Sequence, residues 1–344
     1  MKIVIAPDSY KESLSALEVA TAIEEGFREI WPDADYVKLP VADGGEGTVE
    51  AMVEATAGRI VDVDVTGPLG DSVRAFYGLS GDERSAFIEM AAASGLELVP
   101  PQLRDPLKTT SWGTGELIRH ALDAGVEHII IGLGGSATND GGAGMVQALG
   151  AKLLDAQHQE ITQGGAALEA LSKIDISGID KRLAACRIEV ACDVTNPLCG
   201  ENGCSLVFGP QKGGTPDMLS EMDEAIGRFS RLIETEMGTE KAAEAPGAGA
   251  AGGLGFAFRT ALGAELVSGT DLVLQTIGAS KNLTDADLFI TGEGRLDSQT
   301  ARGKAPAGAA RFLLWFSGRA RGRDLPPGRG ERCTRCRPAP PEYR

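Results

Sequence analysis

Histidine is scarce in this chain. The 344 residues hold three, His120, His128 and His158, and they form no ligand cluster, which sets aside a His-based metal site or a Ser-His-Asp triad. Cysteine is thin as well. Six cysteines do not make a disulfide framework, and no spacing among Cys186, Cys192, Cys199 and Cys204 is a C-x2-C. Cys333 and Cys336 form one such pair, with neither a second pair nor a nearby His to complete a zinc site. No run of about 18 apolar residues is present, so no membrane span is expected. The opening Met1-Lys2-Ile3-Val4-Ile5-Ala6-Pro7-Asp8 is too short an apolar stretch for a signal peptide. Positive charge is also lacking: a net −16 argues against a nucleic-acid backbone as partner. The cytoplasm is the expected location, with neither membrane nor nucleic acid as partner. Two further absences narrow the chemistry. There is no G-x-x-x-x-G-K-[ST] and no protein-kinase motif set, so neither of those phosphate machines is built here.

What the chain has is ordinary composition and a repeated local pattern. With 42% hydrophobic and 24% charged residues it shows globular usage, and at about 150 residues per domain its length favours two domains. Lys2 to Ala6 is a short apolar run broken by Pro7-Asp8-Ser9. A helical pattern follows, with Leu17, Ala20, Ile23, Phe27 and Ile30 spaced to share one buried face. Ser15-Ala16-Leu17-Glu18 reads as a capping box and Pro32 as the stop. The pattern recurs: an apolar run from Tyr36 to Val41 ends at Asp43-Gly44-Gly45-Glu46-Gly47, before a helix over 48–57 closed by Gly58.

From Val61 to Met90 the period changes. Val61-Asp62-Val63-Asp64-Val65 alternates strictly, Gly67-Pro68-Leu69-Gly70 is a turn, and apolar runs over 73–79 and 86–90 follow. That is an antiparallel meander, not a βαβ series. Beyond it come a helix over 115–124, a strand over 128–133 and the loop from Gly134 to Gly142. A long helix spans 216–237, with Leu219, Met222, Ile226, Phe229 and Ile233 on one face, and a late strand over 287–291 runs into Gly292-Glu293-Gly294. The class is α/β with an inserted α+β part.

Residues 311–344 differ from the rest. They hold nine Arg against three acids, a net +6 that leaves −22 on residues 1–310, and they are rich in proline. This reads as a disordered basic tail or, preferably, as a shift of reading frame near Arg311.

Small and acidic residues recur where strands end: Asp8-Ser9-Tyr10-Lys11, Asp43 to Gly47, Gly134 to Gly142, and Gly292-Glu293-Gly294 with Asp297. In open α/β sheets ligands bind at the carboxyl ends of strands, so these loops are expected to share one cleft. Glycines let backbone N–H groups approach phosphate oxygens, and carboxylates in the same cleft call for a hard cation such as Mg2+. Any one such loop is, by itself, an ordinary turn or helix cap. Gly247-Ala248-Gly249-Ala250-Ala251-Gly252 satisfies G-x-G-x-x-G, but no strand precedes it and no acid follows at the needed distance, so it fails as a dinucleotide fingerprint. The residues themselves read as a phosphate-handling α/β enzyme.

A series of stretches carries a more specific resemblance. They are Ala6 to Ser15, Val41 to Thr48, Glu89-Met90-Ala91-Ala92-Ala93-Ser94-Gly95, Gly134 to Gly142, Cys192-Asp193-Val194 with Asn196-Pro197-Leu198, Phe208-Gly209-Pro210-Gln211-Lys212-Gly213, Pro246 to Gly255, and Thr291-Gly292-Glu293-Gly294 with Asp297, Gln299 and Gly303-Lys304. Over residues 1 to about 310 the chain resembles the bacterial glycerate kinase family of the glycerate 2-kinase type, which is unrelated to P-loop and protein kinases. Tyr10 stands where that family commonly has Phe.

The resemblance implies ATP- and Mg2+-dependent phosphorylation of D-glycerate to 2-phosphoglycerate in preference to 3-phosphoglycerate, with homodimerisation left open. It also implies a Rossmann-like parallel-sheet domain built from both chain ends (1–62 and 265–310) around an inserted α+β domain (63–264). Carried onto this sequence, Asp193, Lys11 and Asp8 are the catalytic candidates, and Lys212, Ser9 and Ser136 the substrate-binding ones. Gly134, Gly135, Asn139, Asp140 and Gly294 are assigned to the nucleotide, and Asp43, Glu46 and Glu293 to the metal. Two other readings stay open: a frameshifted, catalytically impaired homologue that at most binds ligand, and a different phosphate-transfer enzyme on a similar scaffold, such as a phosphoribosyltransferase.

Overall fold

The computed structural model describes residues 1–10, 13–42, 44–45, 47–283, 285–294 and 305–316. In chain order the strands are β1 (Lys2–Ile5), β2 (Asp35–Lys38), β3 (Arg59–Thr66), β4 (Ser72–Leu79), β5 (Ser85–Glu89), β6 (His128–Gly132), β7 (Lys152–Leu154), β8 (Lys173–Asp175), β9 (Arg187–Ala191), β10 (Glu265–Val267) and β11 (Leu288–Ile290). They form a three-stranded sheet of order β11-β1-β2, a six-stranded sheet of order β10-β9-β6-β5-β4-β3, and the hairpin β7-β8.

The small sheet joins the two ends of the described chain. β1 pairs parallel with β11 on one side and with β2 on the other, and Ile3, Val4 and Ile5 are fully buried. A central parallel strand is covered on both faces, which is why Lys2 to Ala6 is apolar without alternation. The helix Ala16–Arg28 packs beside it, its N-terminus closed by the Ser15–Glu18 capping box. Ile30, expected on that buried face, is instead 69% exposed, because the helix ends at Arg28 and the chain turns before Pro32.

The large sheet is mixed. β3, β4 and β5 pair antiparallel, as the meander required, while β5-β6, β6-β9 and β9-β10 are parallel. Alternate side chains of β5, β6 and β9 enter different cores. Ala86, Ile88, Ile129, Ile131, Ile188 and Val190 join the large core beneath the sheet. Phe87, Ile130 and Ala191 face the other way and pack with Val4, Ala6, Leu39, Val41, Val49 and Met52. This second core locks the two sheets together. Burying one such large side chain is worth about 1.5–3 kcal/mol.

The longest helix, Pro216–Met237, starts and stops where its sequence signals lie. Thr215 caps it, Pro216 sits at its first position, Gly238 ends it at φ +64°, and Leu219, Met222, Ile226, Phe229 and Ile233 are all buried. Near the other end of the chain, the helix Ala305–Phe316 runs through Arg311, whose guanidinium bonds both carboxylate oxygens of Asp271 at 2.8 Å. The helix continues through the position near which the reading frame was expected to shift, and residues 317–344 lie outside the described residues. Among the described residues no helix is long and apolar enough to cross a membrane.

Candidate active site

The carboxyl ends of β1, β2 and β11 meet those of β5, β6 and β9. Past their ends β1 and β11 stay in register: Ala6 N–H donates to Ile290 O at 2.7 Å and Asp8 N–H to Gly292 O at 2.8 Å. This sets Asp8 and Ser9 beside Gly292-Glu293-Gly294. Ser9 N–H donates to Asp8 Oδ1 at 2.7 Å, which fixes the carboxylate at the strand end. Asp8, Ser9 and Tyr10 line a cavity of about 510 Å3 with Pro40, Val41, Ala42 and Gly47.

Glycine decides how the two sheets approach here. A methyl group on Gly44, which sits at φ +89°, would lie 2.6 Å from Ala191 Cβ at the end of β9. One on Gly132, at the end of β6, would collide with Gly44 O, and one on Gly134 would lie 3.0 Å from Gly45 Cα. The loop after β2 thus lies directly on the ends of β6 and β9. The helix that follows, Thr48–Ala55, has Gly47 at its N-terminus and no side-chain cap of its own. Glu89, at the end of β5 and 8% exposed, supplies one bond from outside, accepting from Val49 N–H at 3.0 Å. The sequence shows Glu89 within a family stretch and offers no signal of this job, which depends on two strands being neighbours. Lys11, Asp43 and Glu46, the remaining acidic and basic candidates of these loops, lie outside the described residues.

The loop from Gly134 to Gly142 divides into an exposed half and a buried half. Gly134 and Gly135 are exposed and Ser136 is half-buried, whereas Thr138, Asn139 and Asp140 are fully buried. The exposed half is braced by the segment after β5: Leu96 N–H donates to Gly135 O at 2.8 Å and Ala137 N–H to Ser94 O at 2.9 Å. Asp140 acts as an internal staple. One of its oxygens accepts from Ser111 N–H (2.8 Å), Ser111 Oγ (2.8 Å) and Gly144 N–H (3.2 Å), and the other from Gly142 N–H (3.0 Å). Burial pushes its pKa up and those bonds pull it back. Asn139 donates to Ser205 Oγ at 2.9 Å. Its Oδ1 and Thr138 Oγ1 are buried with no hydrogen-bond partner among the described residues.

Lys212 lies under the same loop. It is 1% exposed, and its Nζ donates to Ser136 Oγ at 2.9 Å and to Thr138 O at 2.6 Å. No carboxylate pairs with it among the described residues, and burial pushes its pKa down to about 8 against the opposing pull of Cys204 and Asp140. An ammonium so enclosed braces the loop through Ser136 and Thr138. Gly247 to Gly252 proves to be a packing partner of the loop. Gly141 N–H donates to Gly252 O at 2.9 Å, and a methyl on Gly252 would collide with Thr138 O.

Asp193 stands two residues beyond β9, exposed, with Oδ1 accepting from Gly269 N–H at 3.2 Å at the start of the helix Gly269–Thr276. It therefore bridges the large sheet to a helix packed beside the small one. A second cavity of about 440 Å3 opens there, lined by Asp193, Thr195, Arg259 and Ser268 among others. The structure groups Asp8, Ser9, Glu293 and Gly294 at one place, and Gly134, Gly135, Ser136, Asn139, Asp140 and Lys212 at another. Asp193 belongs to the second cavity.

Comparison with known proteins identifies the family. The model of the glycerate kinase family matches residues 3–314. The chain is 61% identical over 310 residues to the glycerate 2-kinase of Escherichia coli K12, covering 90% of this chain and 81% of that protein. It is 60% identical over 311 residues to the glycerate kinase of Bacillus subtilis 168, with the same coverage. A crystal structure described as glycerate kinase 2 of Salmonella typhimurium LT2 superposes with a TM-score of 0.88 at 70% identity, covering 92% of this chain and 84% of that one. The likeness runs past Arg311, in keeping with the helix that does the same. Matched by the family model over residues 3–314 and 61% identical to a glycerate 2-kinase, the chain belongs to the glycerate kinase family and is a phosphotransferase.

Proposed function

We propose that this enzyme transfers the terminal phosphoryl group of ATP to the carbon-2 hydroxyl of D-glycerate. The reaction is that of an ATP-dependent glycerate kinase and yields a phosphoglycerate; the D configuration and the 2-position are the finer reading. The observation that carries it is the family match over residues 3–314, joined to glycine loops and carboxylates at converging strand ends. ATP as donor puts the reaction in the cytoplasm.

The strand ends fit an Mg2+-bound triphosphate. Asp8 and Glu293 stand on adjacent strand ends, and Mg2+ commonly takes one or two carboxylates when phosphate oxygens supply other ligands. Gly134 and Gly135 are exposed, and a methyl on Gly135 would meet only Ala91 Cβ, at 3.5 Å, so their backbone is open to close approach by phosphate. In this reading Glu293, Asp43 and Glu46 hold Mg2+, which offsets charge on the transferring phosphoryl group when bound. Lys11 adds positive charge, Ser9 and Ser136 take hydrogen bonds from the substrates, and Gly294 lets the chain pass close by. Asp193 accepts the hydroxyl proton and Asp8 orients the strand-end site. Asn139, Asp140 and Lys212 shape the loop from beneath.

The domain reading follows the strands. A Rossmann-like unit made of both chain ends carries the small parallel sheet, with the large sheet inserted within it. Because β3 begins at Arg59 and β10 ends at Val267, we set the boundaries at about 58 and 268, in place of 62 and 265.

The test is ADP release by the purified full chain with ATP, Mg2+ and either D- or L-glycerate, with the product identified by phosphorus NMR. Turnover of the D isomer to 2-phosphoglycerate is expected. Turnover of neither isomer by folded protein overturns the activity, and 3-phosphoglycerate overturns the position.

A further inference from the structure

The second cavity contains a cation that nothing in the preceding account uses. The helix Leu254–Ala261 buries Leu254 to Phe258 and Thr260, yet its last turn carries Arg259. Arg259 is half-buried and lines the 440 Å3 cavity. Among the described residues its guanidinium forms no hydrogen bond or ion pair. The other charged groups of the cavity are engaged: Asp271 by Arg311 at 2.8 Å, and Asp193 by Gly269 N–H at 3.2 Å. Both Arg259 and Asp193 act electrostatically on the Cys192 thiol, the one opposing and the other reinforcing the upward push of burial, so both charges lie near the end of β9.

A half-buried guanidinium with five donors and no partner is matched to a planar anion, and a carboxylate fits its fork with two parallel bonds. A 2-hydroxy acid carries its carboxylate and its reacting hydroxyl on adjacent carbons. A cavity that offers an unmatched arginine and a carboxylate base on neighbouring walls is complementary to that pair of groups. We propose that Arg259 binds the carboxylate of the acceptor substrate, making the cavity beside Asp193 the 2-hydroxy-acid subsite and Arg259 the residue that selects acids over neutral polyols. The assignment rests on the kinase reading above and adds to it the place and the recognising group.

The experiment compares wild-type protein with R259M and R259K, using D-glycerate and its methyl ester as probes. Binding is read by calorimetry and turnover by ADP release. Wild type is expected to prefer acid over ester by at least about tenfold, roughly 1.4 kcal/mol. R259M should lose that preference, with KM for D-glycerate raised at least about tenfold, KM for ATP within about twofold, and partial rescue by free guanidinium ion. R259K keeps the charge without the fork and should lie between the two. An acid-to-ester preference that is the same in wild type and in either folded variant overturns the proposal. Because calorimetry reads binding without turnover, a wild type that binds D-glycerate through Arg259 but does not phosphorylate it refutes the kinase reading and leaves this site standing.

Discussion

Replacing Lys212 by Met separates what this lysine does for the fold from what it does for the site. The native ammonium is buried, and its pKa falls from the usual 10.5 to about 8, a difference worth about 3 kcal/mol of destabilisation at neutral pH. Met removes that penalty at similar volume. It also removes two charge-assisted hydrogen bonds, to Ser136 Oγ and Thr138 O, each worth about 1.5–3 kcal/mol. The two effects largely offset, so K212M should unfold in urea with a stability loss of no more than about 3 kcal/mol. Activity should respond quite differently: with Ser136 and Thr138 no longer tethered, kcat should fall by about 100-fold, because small displacements of positioning groups cost that much. The proton supplies a second readout. The native lysine binds fewer protons than the unfolded one between about pH 8 and 10.5, so its contribution to stability rises as pH rises through that window. The buried Cys204 thiol, pushed up to about 11, opposes this, and because it is coupled to Lys212 both proteins, with lysine and with Met, are compared in a C204A background. The difference between them should shift in favour of the lysine by up to about 3 kcal/mol from pH 7.5 to 10.5. A K212M protein with wild-type kcat, or a pH-independent difference, would refute the tethering role.

Three other substitutions probe the rest of the site. G132A places a methyl against Gly44 O, so it should lower stability by at least about 2 kcal/mol and kcat with it, as read by thermal melting and ADP release. D140A strands the donors that the carboxylate satisfies and should cost about 2–4 kcal/mol in urea unfolding, while D140N, which keeps one acceptor oxygen, should cost less. D193N retains an oxygen for Gly269 N–H, so its melting temperature should hardly move, whereas kcat should drop by about 10²–10⁴ if Asp193 accepts the hydroxyl proton. A stable D193N enzyme of full activity would return Asp193 to a capping role alone.

Local patterns in the sequence determined most of the elements. The capping box at Ser15, the apolar face of the helix over 216–237 and the strict alternation over 61–65 depend on neighbours within a few residues, and each marks an element in the structure where it was read. The strand-end glycines were equally legible as loops. Their purpose was not, because Gly44 and Gly132 are required by a close approach between backbones 88 positions apart in the chain, which no local pattern encodes. The same holds for polar residues. Lys212, Asp140 and Glu89 are of the residue types that face ligands, and only tertiary burial turns them into internal supports, since a charge removed from water must find its partners within the fold. Ile30 shows the converse, an apolar residue in the right period left exposed because its helix had already ended. The chain's chemistry and its family could be read along the sequence, while the division of its charged residues between cavity and core was decided by how the two sheets pack.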